Sequence, residues 1–293
     1  MEIKKAEASV KPTGFCRKLL LRIVFAGTAA LLIAGTVLLQ SCSVDLFGIF
    51  ASTDLDIRLS DKNTFKFLSP EDLSLSLPGE YSFIILNDTH IEEGDAHGLE
   101  KLSSVINGAA FVVVNGDITQ NGNRRDLQKF IEIAGSLGVP CYPVIGNHDI
   151  YFNNWPVWKD LIGSTCYRID SSTSSTSIFV LDSATGTLGS AQYEWLEEGL
   201  KTAKRHALVF THMNIFIENP ADLVQFTDVR ERSRLMDLLK GRSEALFMGH
   251  AHKRMVHEAG GVHYITVEDY RSTGIYCRVH VSRTGLSWEF EKL

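Results

Sequence analysis

The sequence predicts an α/β sandwich in which short buried strands alternate with helices and the last strands are antiparallel. Short apolar runs recur along the chain, and helical periodicity separates several of them. Of the 293 residues, 44% are apolar and 22% are charged, a composition that supplies a large core. After residue 252 the apolar runs alternate with turn residues, which is typical of hairpins. Together these patterns favour parallel strands covered on both faces, followed by antiparallel ones.

The N-terminal segment has the features of an export signal. Arg17, Lys18 and Arg22 precede an apolar run that continues to Leu39, and a basic region followed by an apolar one is typical of a signal peptide. The run ends in Leu-Gln-Ser-Cys42, which resembles a bacterial lipobox and implies cleavage before Cys42 and lipidation of its sulfur. The alternative is an uncleaved transmembrane helix, for which the run is just long enough. Both alternatives anchor the chain to a membrane of the bacterial cell envelope, with the body facing away from the cytoplasm.

Residues 42 to 80 are mixed and polar, and we expect a tether followed by a small packing segment. From Tyr81 onward the pattern becomes regular, and six strands are predicted before residue 250 because each run is short, apolar and bounded by polar residues. These strands are Tyr81 to Leu86, Phe111 to Val114, Cys141 to Ile145, Ile178 to Leu181, Ala207 to Phe210 and Ala245 to Met248.

Helices and hairpins complete the predicted order of elements. Helical periodicity runs from residue 126 to 137 and from 191 to 200, and the second segment places Tyr193, Leu196 and Leu200 on one stripe. The serine-rich patch at 171 to 177 predicts a solvated hairpin loop. Two runs at 255 to 258 and 262 to 267, joined by a Gly-Gly pair, predict a hairpin, and further strands are predicted near 275 to 281 and 286 to 290.

Charge and cysteine content exclude two kinds of site. The net charge of −6 conceals an excess of cations in the first 41 residues, so the remainder of the chain is strongly acidic. An acidic body has no basic surface for a nucleic-acid backbone, and polymeric nucleic acid is therefore excluded as a partner. Cys141, Cys166 and Cys277 lie outside any CxxC spacing, so a thiolate metal site is not indicated.

Metal-ligand residue types follow almost every predicted strand. The carboxyl ends of parallel strands form the ligand-binding edge of an α/β sheet, so these segments can converge on one point. Mixed histidine nitrogen and carboxylate oxygen suits Zn, Fe or Mn better than the all-oxygen sites of calcium or magnesium. The segments are Asn87-Asp88-Thr89-His90, Asn115-Gly116-Asp117, Gly146-Asn147-His148-Asp149, Thr211-His212 and Gly249-His250-Ala251-His252.

In this order, the five segments resemble the motif set of the calcineurin-like metallophosphoesterase superfamily, across residues 81 to 252. The resemblance implies a four-layer α/β/β/α sandwich of two mixed β-sheets flanked by helices. It also implies that residues 81 to 293 form the catalytic domain, preceded by a tether and packing segment at 42 to 80 and a signal peptide or anchor at 1 to 41.

The resemblance assigns roles to individual residues. It implies two divalent metal ions (Mn, Fe or Zn) and a metal-bridging hydroxide that attacks the phosphorus of a small phosphate ester, either a monoester or a diester. Asp117 bridges the two metals, and His148 protonates the departing oxygen. The implied ligands are Asp88, His90, Asp117 and His252 for one metal and Asp117, Asn147, His212 and His250 for the other.

Gln120 departs from two branches of the superfamily. Purple acid phosphatases have a metal-binding Tyr at this position, and protein phosphatases of the calcineurin type have an Asp that orients the catalytic His. The chain is more similar to the bacterial branch that includes class III cyclic nucleotide phosphodiesterases. The group that orients His148 stays open, with Asp149 as the candidate.

Two further functions stay open at this level. The aromatic segment Tyr151, Phe152, Trp155 and Trp158 can form a wall that stacks on a nucleobase or lies along a lipid chain. Together with a membrane anchor, such a wall is compatible with hydrolysis of a lipid phosphate or pyrophosphate. The same segment can instead be a cap that packs on the core. Some proteins of this fold are non-catalytic scaffolds, but they lack several of the ligands that this chain retains.

Overall fold

The computed structural model describes residues 54–60, 63–216 and 228–293. These residues belong to one compact unit, Asp45–Leu293. The predicted signal peptide or anchor at residues 1 to 41 and the predicted lipidation site, Cys42, lie outside them. None of the described helices combines the length and the apolar character needed to cross a membrane.

Two mixed β-sheets form the centre of the fold. The first has the order β11-β10-β1-β2-β3, in which β1, β2 and β3 are parallel and β10 and β11 are antiparallel to their neighbours. Its strands are β1 (Tyr81–Leu86), β2 (Ala109–Asn115), β3 (Cys141–Val144), β10 (Ile275–Val281) and β11 (Leu286–Lys292). The predicted strands therefore reappear here with small changes at their ends.

The second sheet has the order β4-β5-β6-β7-β9-β8, with antiparallel strands at both edges and four parallel strands between them. Its strands are β4 (Tyr167–Asp170), β5 (Thr176–Val180), β6 (His206–Phe210), β7 (Ala245–Met248), β8 (Met255–Ala259) and β9 (Val262–Thr266). The Gly-Gly turn at 260 and 261 has positive φ at both residues, as a two-residue hairpin loop requires.

Helices cover the outer face of each sheet. Those on the first sheet pack through Phe130 and Trp158, and those on the second pack through Tyr193, Leu196 and Leu235. The helices are α1 (Leu55–Ser60), α2 (Arg124–Ser136), α3 (Trp155–Leu161), α4 (Gly189–Lys201), α5 (Val229–Leu239) and α6 (Tyr270–Thr273), with 3-10 turns at Leu99–Ser104 and His148–Asn153. The result confirms the four-layer α/β/β/α sandwich of two mixed sheets.

Aromatic side chains fill the space between the two sheets. Phe83 of β1 stacks on Phe111 of β2 with ring centroids 4.6 Å apart, and it meets Phe210 and Phe247 of the facing sheet at 6.2 and 5.9 Å. All four rings are fully buried. Burial of this much apolar surface fixes the two sheets face to face and holds their strand ends in register.

Residues before β1 pack against this body. Leu68, Leu75 and Leu77 belong to the core between the sheets. The guanidinium of Arg58 on α1 is fully buried, and it donates to both carboxylate oxygens of Asp182 at 2.7 and 2.9 Å. Asp182 follows β5, so this buried ion pair attaches α1 to the second sheet.

The strands predicted as antiparallel at the C-terminus divide between the two sheets, and β9 is parallel to β7. Strands β8 and β9 extend the second sheet beside β7, whereas β10 and β11 extend the first sheet beside β1. Pairing in this way satisfies backbone groups that β1 and β7 would otherwise expose at a sheet edge. Such pairings join residues that are distant in sequence, and local periodicity does not report them.

Candidate metal centre

The predicted ligands lie together at the carboxyl ends of β1, β2, β3, β6 and β7. Donor atoms within each of three groups approach one another to within 4.8 Å. Two of these groups match the two predicted ligand sets, except that one lacks Asp117 and the other lacks Asn147. The groups are Asp88, His90 and His252; Asp117, His212 and His250; and His90, Asp117 and His148. Asp117 belongs to two groups, with His212 and His250 in one and with His90 and His148 in the other.

Each carboxylate uses one oxygen for the backbone and offers the other to the site. Asp88 Oδ2 accepts from the His250 N–H at 3.1 Å, while its Oδ1 lies 3.3 Å from His252 Nε2. Asp117 Oδ1 accepts from the His148 N–H at 2.9 Å, while its Oδ2 lies 3.2 Å from His212 Nε2. The backbone contacts fix the orientation of both carboxyl groups, so the second oxygens converge among the imidazoles.

The carbonyl of Asn115 sets the tautomer of His212. His212 Nδ1 lies 3.0 Å from this carbonyl, which can only accept, so Nδ1 carries the hydrogen. The other ring nitrogen, Nε2, faces the carboxylates and can offer its lone pair to a metal once its own proton is lost. This is the arrangement that metal-binding histidines adopt in proteins.

Five of the ligand residues have a left-handed backbone. Their φ values lie between 44° and 63°, a region that residues other than glycine seldom occupy. Strain of this kind costs about 1–3 kcal/mol per residue, and it clusters at functional sites where the surrounding structure fixes the conformation. The residues are Asp88, His90, Asp117, His250 and His252.

Two glycines allow the ligand loops to approach one another. Gly116 has a φ of 93°, and a Cβ there would lie 2.2 Å from Nδ1 of His212. A Cβ on Gly146 would lie 2.1 Å from Oδ1 of Asp117, although its own φ is not positive. Gly146 is therefore required by close approach rather than by a left-handed backbone.

The two carboxyl groups are held ionised. Burial opposes their ionisation, but the neighbouring imidazoles outweigh it. His252 and His212 bring the pKa of Asp88 below its ordinary value, and His212 and His148 bring the pKa of Asp117 well below it.

The imidazoles divide into two kinds. Burial disfavours the charge on all of them, but Asp117 raises the pKa of His212 to about 10, and Asp88 raises the pKa of His252 to about 9. Burial dominates for His90 and His250 and lowers the pKa of each to about 4. At neutral pH the cluster therefore balances two carboxylates with two imidazolium ions, and the other two rings are neutral.

The donor set fits a divalent cation. Several buried donor atoms have no hydrogen-bond partner within the described part of the chain, namely Asp88 Oδ1, both ring nitrogens of His90 and Nε2 of His212. Unpaired buried polar atoms are costly, so their convergence indicates a ligand. Asn147, which is also buried, donates from Nδ2 to the Tyr151 hydroxyl at 2.7 Å, and its oxygen is the atom that suits a cation.

A backbone carbonyl, not Asp149, orients His148. His148 Nδ1 lies 2.8 Å from the carbonyl oxygen of Gln120, and its Nε2 lies 3.9 Å from Asp117 Oδ2. The expectation for Asp149 was wrong because its carboxylate is engaged elsewhere. It accepts from the backbone N–H groups of Ile118, Thr119 and Gly146 at 2.9 to 3.2 Å.

Asp149 instead joins two of the ligand loops. Its contacts reach the loop after β2, which contains Asp117, and the loop after β3, which contains Asn147. Burial and the charge of Asp117 raise the pKa of Asp149 to about 6, although the surrounding N–H donors favour the carboxylate. The residue therefore supports the geometry of the ligands without contacting the site itself.

Arg271 holds the Gln120 loop from the opposite side. Its guanidinium donates to the Gln120 side-chain oxygen at 2.7 Å and to Glu92 at 2.7 Å. Its backbone N–H donates to the Asp88 carbonyl at 3.3 Å, so α6 is attached to the first ligand loop. No sequence signal pointed to Arg271, which lies outside every motif.

The predicted aromatic wall is mainly a cap. Tyr151, Trp155 and Trp158 are buried, and both tryptophans pack in the core of the first sheet. Phe152 is the exception, with 53% of its surface exposed. The Tyr151 ring lies 4.3 Å from that of His148, so the cap reaches the site through Tyr151.

Two asparagines beside the motifs join the sheets at the site. Asn87 donates to the Val267 carbonyl at 2.9 Å, and Asn115 donates to the Thr211 carbonyl at 3.2 Å. Both side chains are fully buried and cross from the first sheet to the second. A buried asparagine at the end of an apolar strand is the signal that could have identified them.

Comparisons with known proteins agree with this geometry. Residues 81–254 match the family model described as calcineurin-like phosphoesterase. A protein of Fibrobacter succinogenes named "probable cyclic nucleotide phosphodiesterase" is 32% identical over 158 residues, which are 49% of this chain and 58% of that protein. The match thus spans less than two thirds of the length of this relative.

Solved structures show the same fold at low identity. A dimetal phosphatase from Danio rerio superposes with a TM-score of 0.60 and 13% identity, over 72% of this chain and 95% of that one. GAP50, the anchor in the inner membrane complex of Plasmodium, superposes with a TM-score of 0.55 and 15% identity, over 73% of this chain and 85% of that one.

Proposed function

We propose that this chain, which belongs to the calcineurin-like phosphoesterase family, hydrolyses a phosphate ester with two divalent metal ions. The observation that carries the proposal is the convergence of carboxylate and imidazole atoms in three overlapping groups, which are linked by His90 and by Asp117. Their spacing within 4.8 Å suits a common pair of cations. The unpaired buried donors of Asp88, His90 and His212 support it, because a cation would satisfy them.

The chain supplies a separate set of ligands for each ion. Asp88, His90 and His252 would hold one, Asn147, His212 and His250 the other, and Asp117 would serve both. When bound there, Mn, Fe or Zn ions would lower the pKa of a water molecule and neutralise phosphoryl charge. The backbone N–H contacts to Asp88 and Asp117 hold the ligand oxygens in place before any cation arrives.

His148 is the residue that we assign to the leaving group. Because the Gln120 carbonyl accepts only, Nδ1 keeps its hydrogen, and Nε2 is the nitrogen that gives a proton to the departing oxygen. Nε2 lies 3.9 Å from Asp117 Oδ2 and therefore faces the site.

The substrate that we propose is a small phosphate ester. The relative named as a probable cyclic nucleotide phosphodiesterase makes a diester the first substrate to test, with a monoester as the alternative. The full chain, purified and supplied with Mn²⁺, would be assayed with bis-p-nitrophenyl phosphate and with p-nitrophenyl phosphate. The ratio of the two rates separates a diesterase from a monoesterase.

Two variants test the roles within the site. Asp117→Asn removes the shared ligand charge and is expected to abolish turnover of both substrates, while His148→Ala is expected to retain bound metal and lose turnover. Metal analysis of each protein accompanies the kinetics. Two bound metals without turnover of either ester would favour a scaffold of this fold, and the absence of bound metal would refute the central claim.

We propose in addition that the body is anchored at a membrane of the bacterial cell envelope, facing away from the cytoplasm. The support is the basic and apolar N-terminal segment that ends at Cys42. The full chain and Cys42→Ala would be expressed in a bacterial host with a clickable palmitate analogue. A lipid anchor predicts label that is lost in the variant. Membrane association without label in either protein would indicate a helical anchor instead.

A further inference from the structure

Phe152 is an exposed aromatic side chain directly beside the proposed catalytic centre. It follows the buried Tyr151 in the 3-10 turn that begins at His148, and 53% of its surface is exposed. Large exposed apolar residues are few in the described part of the chain, where the others are Ile57, Val229 and Val256. Neither the motifs nor the family match assigns this residue a role.

The backbone that presents Phe152 is strained. Phe152 has φ 54° and ψ 32°, and the next residue, Asn153, also has a positive φ of 61°. Asparagine tolerates the left-handed region, whereas a bulky side chain seldom adopts it. The flanking segment fixes this conformation, because the Asn154 side chain donates to the Asn121 carbonyl at 2.8 Å and its N–H donates to the Tyr151 carbonyl at 3.0 Å.

The rings of this turn form a continuous series that starts at the proposed proton donor. Tyr151 lies 4.3 Å from His148 and is tilted by 38° to it. Phe152 lies 6.2 Å from Tyr151 in an edge-to-face arrangement of 82°. Tyr151 thus contacts both rings and connects the exposed ring of Phe152 to His148.

We propose that Phe152 forms a binding subsite for a planar aromatic group, such as a nucleobase, carried by the leaving part of the phosphate ester. This inference rests on the proposed function. A strained conformation that exposes an aromatic ring at the rim of a site is explained if the ring is needed there, since stacking on a planar group recovers apolar contact area. The asparagines at 121, 153 and 154 surround the turn with polar groups, which favours one planar ring over a lipid surface.

The test compares esters that differ only in the base. If the nitrophenyl assays indicate a monoesterase, AMP is compared with ribose 5-phosphate; for a diesterase, cyclic AMP is compared with 1-O-methylribose 3,5-cyclic phosphate. Each pair has the same kind of leaving oxygen. Phe152→Ala is expected to raise KM for the base-containing ester roughly 10-fold, which is the scale of one stacked base. The KM for the ester without a base should change by no more than about twofold.

Control variants separate stacking from general damage. Phe152→Trp keeps a stacking surface and should preserve the preference for the base, and Ile57→Ala, at a residue of 55% exposure on α1, should change neither KM. Phe152→Asn places a tolerant residue in the left-handed position, so we expect the Tm to rise by about 2 °C while KM for the nucleotide rises as in Phe152→Ala.

The possible outcomes separate this inference from the proposed function. Turnover of nitrophenyl esters with equal effects of Phe152→Ala on both members of the pair would overturn the subsite and leave the hydrolase intact. The variants would also be assayed with phosphatidic acid in vesicles. If Phe152→Ala lowered turnover of this lipid alone, the result would overturn the subsite in favour of a lipid substrate. Metal-loaded wild-type protein that turns over no ester refutes the proposed function, and the subsite with it.

Discussion

Removing the Arg271 side chain should impair His148 as a proton donor without removing any ligand. Arg271 holds the Gln120 side chain at 2.7 Å, and the Gln120 carbonyl lies 2.8 Å from His148 Nδ1. Glu92 holds the other end of the guanidinium at 2.7 Å. Arg271→Ala therefore releases the loop whose carbonyl sets the position of the imidazole, and we classify Arg271 as a positioning residue.

The expected magnitude follows from the exposure of the Arg271 side chain. A hydrogen bond to a charged group contributes about 1.5–3 kcal/mol in a buried setting, but exposed ion pairs contribute only about 0–1 kcal/mol. Because 35% of the side chain is exposed, we take about 1 kcal/mol as the loss in positioning. At 1.36 kcal/mol per factor of ten, this corresponds to about a fivefold decrease in kcat.

The decrease should depend on the leaving group. A p-nitrophenolate departs readily without a proton, whereas a phenolate needs one, so the loss should be about fivefold for phenyl esters and within about twofold for p-nitrophenyl esters. KM should change little for either. Arg271→Lys, which can hold only one of its two partners, should fall between the wild type and Arg271→Ala.

Arg124→Ala is the matched control, since Arg124 at the start of α2 forms an exposed ion pair at 2.6 Å with Asp160 of α3. This variant should leave kcat unchanged for both phenyl and p-nitrophenyl esters. An equal loss for phenyl and p-nitrophenyl esters in Arg271→Ala would show that Arg271 acts through the fold. A rise in KM alone would show that it contacts the substrate, and either result would refute the reasoning.

Three further predictions concern the protons of the metal-free cluster, the close approach at Gly116 and the buried ion pair that attaches α1. His212 and His252, with pKa values of about 10 and about 9, carry protons at pH 7 and must lose them to bind a metal. Titration calorimetry in buffers of different protonation enthalpy should therefore show release of about two protons per chain, and the metal affinity should increase as pH rises from 7 towards 9. Heats of binding that do not depend on the buffer would contradict this. Gly116→Ala places a Cβ 2.2 Å from the His212 ring, so we expect metal analysis to show at least one ion fewer in a protein whose circular dichroism is unchanged; full metal occupancy would argue against the close approach. Arg58→Ala leaves the fully buried Asp182 without its cation and should lower the free energy of unfolding by about 3–5 kcal/mol in urea titrations, more than the double variant Arg58→Met/Asp182→Leu does.

The convergence of the candidate ligands could be predicted from the sequence because each of these residues has a local signal. Asp88 and His250, for example, each lie just after the end of a short apolar run. The carboxyl ends of parallel strands meet at one edge of a sheet. Each strand needs only its own residues to be recognised. The convergence of the ligands then follows from the sheet, even though the pairing of β1 with β10 was not apparent in the sequence.

The support of the catalytic histidine could not be predicted in the same way. The group beside His148 Nδ1 is the backbone carbonyl of Gln120, and every residue has such a carbonyl, so the side chain at this position carried no signal. Arg271 reaches Gln120 only because α6 packs against the first ligand loop, a contact between residues 151 positions apart. Asp149 was assigned to the ring because it is adjacent in sequence, but its oxygens point to the backbone of neighbouring loops.

The electrostatics of the cluster imply that the fold does not wait for metal. Two ionised carboxylates, Asp88 and Asp117, are balanced by protons on His212 and His252, so the charge in the metal-free site is already compensated. The strain of the left-handed ligand residues is held by the two sheets and by Asp149, which need no cation. Sites that lack such compensation fold only on binding metal. We therefore expect metal to exchange with protons in a preformed site, so that pH controls metal affinity more than folding.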